Sequence, residues 1–159
     1  MLRRCLFALG LVLLAGTTAL AQTVPYAFVG SLVITDRAGT DCDTVSAQVG
    51  ELHTSVYRPR QTGFPAASLQ LFQDQTAFQM RPATNTNFPL SGQYSARMFT
   101  ARGGFREFAG NVAAFRVRPT PTSTTPVIDI SGRITNFRDG GSCTVTVTGG
   151  FVLRPAPEG

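Results

Sequence analysis

Lysine and tryptophan do not occur in this chain of 159 residues, and histidine occurs once, as His53. Without lysine there is no amine to form a Schiff base and no P-loop cation to hold a nucleotide phosphate. Beyond the first residues there are one histidine and two cysteines, Cys42 and Cys143, which can pair with each other, so a zinc centre is left short of ligands. The missing tryptophan takes away one anchor of the aromatic girdle that surrounds an outer-membrane barrel, although phenylalanine and tyrosine remain. No G-x-S-x-G elbow is present, and Glu51, Glu107 and Glu158 stand on unrelated segments, so neither an esterase nor a paired-carboxylate glycosidase is indicated. No cofactor is implied.

Cysteine becomes scarcer once the first residues are set aside. Arg3 and Arg4 supply a positive region, residues 6–15 an apolar run too short to span a bilayer, and Ala19-Leu20-Ala21 an A-x-A cleavage site. Residues 1–21 therefore read as a cleaved signal peptide. Export to the periplasm or the exterior is expected, with the mature chain starting at Gln22 and no cysteine there to carry a lipid. The remaining segment, 22–159, has the size of one domain with its own core. Cys5 leaves with the signal, so Cys42 and Cys143 are the only pair in an oxidising compartment. A disulfide between them would close a loop of about 100 residues, which chain entropy values at roughly 4–5 kcal/mol; the alternative is two separate buried thiols. Twelve arginines against nine acids leave the mature chain mildly basic, too weakly and too evenly for a nucleic-acid footprint. The arginines read as solvated strand positions.

What the chain has in quantity is alternation. Residues 127–153 form two period-2 runs around Arg138-Asp139-Gly140-Gly141, and Asp-Gly between such runs signals a type I′ hairpin. With Asp139 and Gly140 as the central pair, Ile134 faces Val145, Gly132 faces Val147, Ile130 faces Gly149 and Ile128 faces Phe151. On the other side Thr135 meets Thr144, Arg133 meets Thr146 and Ser131 meets Thr148. One side of this ribbon must be buried while the other can meet water.

Residues 25–35 alternate in the same way, with Tyr26, Phe28, Gly30, Leu32 and Ile34 on one side. A faint echo relates the two ends of the chain: Gly30 to Gly132, Leu32 to Ile134, Cys42 to Cys143. It fits a duplicated hairpin and the reuse of common turn chemistry equally well. Either way each cysteine starts the second strand of its hairpin, and terminal hairpins lying side by side would join them and close the sheet. Residues 43–57 carry two periods at once. Val45, Val49, Leu52 and Val56 recur at helical spacing, while Val45, Ala47 and Val49 alternate; the β-branched content favours a strand over a helix.

Between the ends, a compact hairpin is expected at 68–72 and 76–80, a loop at 82–89, a strand at 93–100, a turn at 102–104, and a strand at 105–117 with a bulge near Gly110 and Asn111. The Pro/Thr-rich stretch 119–126 reads as a stiff surface loop. About eight strands joined by short connections predict an all-β fold, an antiparallel up-and-down barrel, with a Greek-key β-sandwich as the alternative.

Candidate chemistry is sparse. Asp36, Asp41 and Asp43 cluster at the first turn, but their spacing matches no calcium loop and turns collect aspartate for geometry, so no metal site is expected. His53-Thr54-Ser55 places an imidazole and a hydroxyl on one strand face without the elements of a triad. A barrel of this size can hold a small apolar ligand, and Phe28, Phe72, Phe78, Tyr94, Met98, Phe108, Phe115 and Phe151 would line it; the same side chains equally serve as core. The expectation is a non-catalytic structural or interaction module with a protein partner or a small apolar ligand. A carrier role and a small outer-membrane barrel stand as alternatives, the last disfavoured by the Arg-Pro-Ala-Pro-Glu-Gly ending.

Overall fold

The computed structural model describes residues 25–74, 76–82, 92–100 and 103–155. The signal-peptide reading of 1–21, the loop at 82–89 beyond Pro82 and Arg102 of the 102–104 turn lie outside the described residues. Eight strands follow in chain order: β1 (Tyr26–Ala38), β2 (Leu52–Arg58), β3 (Ser68–Gln73), β4 (Thr76–Pro82), β5 (Gly92–Thr100), β6 (Phe105–Arg118), β7 (Val127–Thr135) and β8 (Thr144–Pro155). Each pairs antiparallel with the next and β8 returns to β1, so the sheet closes into an up-and-down barrel. The sandwich alternative is set aside.

Burial alternates with period 2 along β2, β4, β7 and β8. One inward row runs Phe28, Tyr57, Leu69, Met80 and Ala96, each the registered partner of the one before, and all are buried. Ile128, Ile130, Ile134, Val145, Val147 and Phe151 fill the side contributed by β7 and β8. Burying a side chain of this kind contributes roughly 1.5–3 kcal/mol relative to leaving it exposed. The outer wall carries the intervening residues, among them Arg116, Asp129, Ser131, Arg133 and Thr148, all exposed. The same wall also exposes Leu52, Phe72, Phe99, Val127 and Val152.

The β1–β8 seam depends on two small residues. A Cβ on Gly149 would stand 1.8 Å from the Ser31 carbonyl oxygen, and one on Gly30 would stand 2.0 Å from that of Gly150. The strands cross there too closely for any side chain. Elsewhere the register expected from sequence is the register found: Ile134 with Val145, Gly132 with Val147, Ile130 with Gly149, Ile128 with Phe151, and Thr135 with Thr144. The bulge near Gly110 is present as well, since Tyr94 pairs with Asn111 but Ala96 pairs with Phe108.

Two local expectations are corrected. The β7–β8 connection is not a two-residue turn at Asp139-Gly140: pairing stops at Thr135 and Thr144, and Asn136, Arg138 and Asp139 have φ of 50°, 54° and 64° while Gly140 has −82°. The longer loop lets Phe137 turn inward, where it is 1% exposed and packs 5.4 Å from the Phe78 ring. Residues 43–57 are neither wholly strand nor wholly helix. A single helical turn, α1 (Asp41–Thr44), holds Cys42, and the strand begins only at Leu52. Helical spacing and alternation each describe part of this stretch. Cys42 therefore lies on a helical turn and not at a strand start, yet it meets Cys143 in a disulfide with an S–S distance of 2.09 Å.

Candidate functional site

The barrel has two unlike ends. At one, residues 39–51 and 136–143 fold over the opening and are joined by Cys42–Cys143. At the other, the chain enters at Tyr26 and β8 leaves at Pro155.

The covered end holds a buried polar group. Glu51, just before β2, and His53, on its inner face, have side chains only 6% and 2% exposed. Arg138 comes from the β7–β8 loop, 13% exposed, and donates from Nη2 to Glu51 Oε1 at 2.5 Å and also to Gln73 Oε1. Its Nη1 donates to the Val45 carbonyl at 3.3 Å. His53 Nε2 lies 3.1 Å from Glu51 Oε1 but off the hydrogen-bond direction. Desolvation holds the imidazole below its ordinary pKa; Glu51 opposes this and Arg138 adds to it. Phe137 shields the group, its ring 6.1 Å from His53 and 5.0 Å from the Arg138 guanidinium carbon.

Chemically this arrangement is a fastening. Arg138 couples the β7–β8 loop to Glu51 before β2 and to Gln73 on β3, and Arg106 at the start of β6 pairs with Asp139 at 2.8 Å. The hydroxyl of Ser55, in His53-Thr54-Ser55, donates to the His53 carbonyl at 3.0 Å. The turn aspartates are engaged too: Asp43 pairs with Arg37 at 2.6 Å, and Asp41 Oδ2 accepts the Ser142 N–H at 2.9 Å. Asp36 stands on β1. Among the described residues no group of three or more His, Cys, Asp or Glu gathers as a metal site.

The open end is a mouth. A cleft of about 510 Å³ is lined by Pro25, Tyr26, Gln61, Thr62, Ser123, Leu153 and Pro155. Tyr26 and Leu153 pack against the core, with the Tyr26 ring edge-on to Phe28 at 6.0 Å between centroids. Gln61 fixes the rim, its Oε1 accepting the Tyr26 N–H at 2.9 Å and its Nε2 donating to the Tyr26 carbonyl at 2.7 Å. Burial raises the Tyr26 phenol above its ordinary pKa.

The residues expected to line a ligand cavity separate into three groups. Phe28, Phe78, Phe115 and Phe151 are buried, at 4% exposure or less, and Met98 is half-buried against the same cluster. Phe72 faces out at 38% exposure, because its neighbours Leu69 and Leu71 occupy the inward positions of β3. The side chains of Tyr94 and Phe108 lie outside the described residues. Sequence reasoning missed the mouth and the Glu51–Arg138 pair, since both are assembled from residues far apart in the chain. The reading of all arginines as solvated is corrected for Arg138, which is held by Glu51. Searches against protein-family models, curated proteins and solved structures find no match for the chain.

Proposed function

We propose that this protein is an exported, non-catalytic interaction module whose binding end is the barrel mouth. The observation that carries this reading is the contrast between the ends: the described inward positions hold large apolar side chains, one end is covered by segments joined through the disulfide and the Glu51–Arg138 pair and keeps only a smaller cleft of about 260 Å³ beside Arg138, and the mouth presents the 510 Å³ cleft. Its walls suit an apolar group. Pro25, Tyr26, Leu153 and Pro155 supply the surface, and Thr62 and Ser123 supply hydroxyls at the rim. The charges of Arg116, Asp129 and Arg133, exposed on the outer wall, argue against a strand-spanning membrane barrel, whose lipid-facing side must be apolar. The position of His53, sealed under Phe137, argues against catalysis by the single imidazole. The Cys42–Cys143 bond suits an oxidising compartment.

The second reading, a carrier of a small apolar ligand, is favoured by the same cleft but moves the ligand from the interior to the mouth. Native mass spectrometry of protein purified from the cells that make it tests both. The module reading expects a chain starting at Gln22, two hydrogens lighter than its reduced form, with no adduct. A retained stoichiometric small molecule would overturn it in favour of the carrier, and an uncleaved N-terminus would overturn export.

A further inference from the structure

On the outer wall lies a second cleft of about 290 Å³ whose lining includes Arg58, Phe64, Pro65, Ser68, Gln79 and Arg81. The sheet register assembles it. Arg58 pairs with Ser68 across β2 and β3, and the β3–β4 register, which pairs Leu69 with Met80, brings Arg81 to the other flank of Ser68. Leu69 and Met80 are buried inside the barrel, so their neighbours Ser68 and Arg81 face outward by alternation. Ser68 is nonetheless only 8% exposed, and the Arg58 guanidinium carbon stands 4.5 Å from the centre of the Phe64 ring.

Neither Arg58 nor Arg81 has an acidic partner within the described residues. Both line the cleft, from the strands on either side of Ser68, and no carboxylate is among its lining residues, so the cleft is a site for added negative charge.

We propose that this cleft binds a small organic phosphomonoester, its phosphoryl oxygens held by Arg58, Arg81 and the Ser68 hydroxyl and its apolar body resting on Phe64 and Pro65. A phosphomonoester carries close to two negative charges at neutral pH and matches two guanidinium forks, whereas a monocarboxylate would leave one cation unanswered. This goes beyond the mouth reading and does not depend on it, because the two clefts share no lining residue.

Phenyl phosphate is the probe, titrated calorimetrically into the disulfide-bonded protein. Saturable one-to-one binding is expected, weakened about tenfold or more by Arg81→Met and by Arg58→Met, with benzoate and inorganic phosphate each binding far more weakly than phenyl phosphate. Arg81 is exposed, so its variant keeps the wild-type unfolding midpoint and decides the matter even if Arg58→Met fails to fold. Absence of saturable binding at millimolar phenyl phosphate, or unchanged affinity in Arg81→Met, would overturn the site. Benzoate binding as tightly would overturn the requirement for a dianion, and inorganic phosphate binding as tightly would overturn the role given to Phe64 and Pro65.

Discussion

Arg138 shows how one side chain changes the structure around it. It stands in a loop that sequence alone reads as a tight turn, and its partner Glu51 lies 87 residues away. Both are largely buried, so removing one leaves the other charge without compensation. Arg138→Ala is therefore expected to cost about 3–5 kcal/mol in urea unfolding, and the double variant Glu51→Gln/Arg138→Met much less. His53 supplies a second prediction. Its folded pKa is below the ordinary 6.5, so between these values the unfolded chain binds the proton more readily. Stability from this group is complete above pH 6.5 and is lost as pH falls from there through the lowered folded pKa, with a slope of at most about 1.4 kcal/mol per pH unit. Because His53 is the only histidine, His53→Gln should flatten the pH dependence of unfolding in that window. An unchanged profile in the variant would contradict the buried neutral imidazole.

At the scale of elements, strands were more legible than the connections between them. Alternation between Val127 and Leu153 fixes which side chains face inward, because a one-residue slip would turn Ile130 and Ile134 into solvent, and the pairs derived from an Asp139-Gly140 centre are the pairs found although the turn itself differs. The connection between them escaped because Asp139-Gly140 carries a strong local signal, while the competing demand comes from Phe78 and Glu51, which bury Phe137 and hold Arg138. The stretch after Cys42 escaped for a related reason: a helical turn and a strand share it, and each leaves part of its own period. The cleft beside Arg58 was not legible at all, since strand register alone brings Arg58 and Arg81 to the two sides of Ser68. The cap that joins these connections is expected to depend on its cross-link. Cys42 and Cys143 are 101 residues apart, so replacing both with serine should lower stability by about 2–5 kcal/mol, read as an earlier midpoint in thermal or urea unfolding. A midpoint equal to that of the wild type would mean that the fastening around Arg138 holds the cap unaided.

For the whole molecule, the wall is continuous, with β8 returning to pair with β1, and the proposed partner is met at the mouth or on the outer surface. Closure depends on the seam between β1 and β8, where Gly30 and Gly149 allow the strands to cross and Phe28 pairs with Leu153. An open sheet would expose both edges to other chains, whereas a closed one has none to offer. Amide hydrogen exchange, resolved by NMR on the disulfide-bonded protein, tests this most directly. If the barrel is closed, the paired amides of β1 and β8 exchange only through global unfolding, with the same opening free energy as those of the β7–β8 pair. Seam amides that exchange through local opening while the β7–β8 amides stay protected would contradict it.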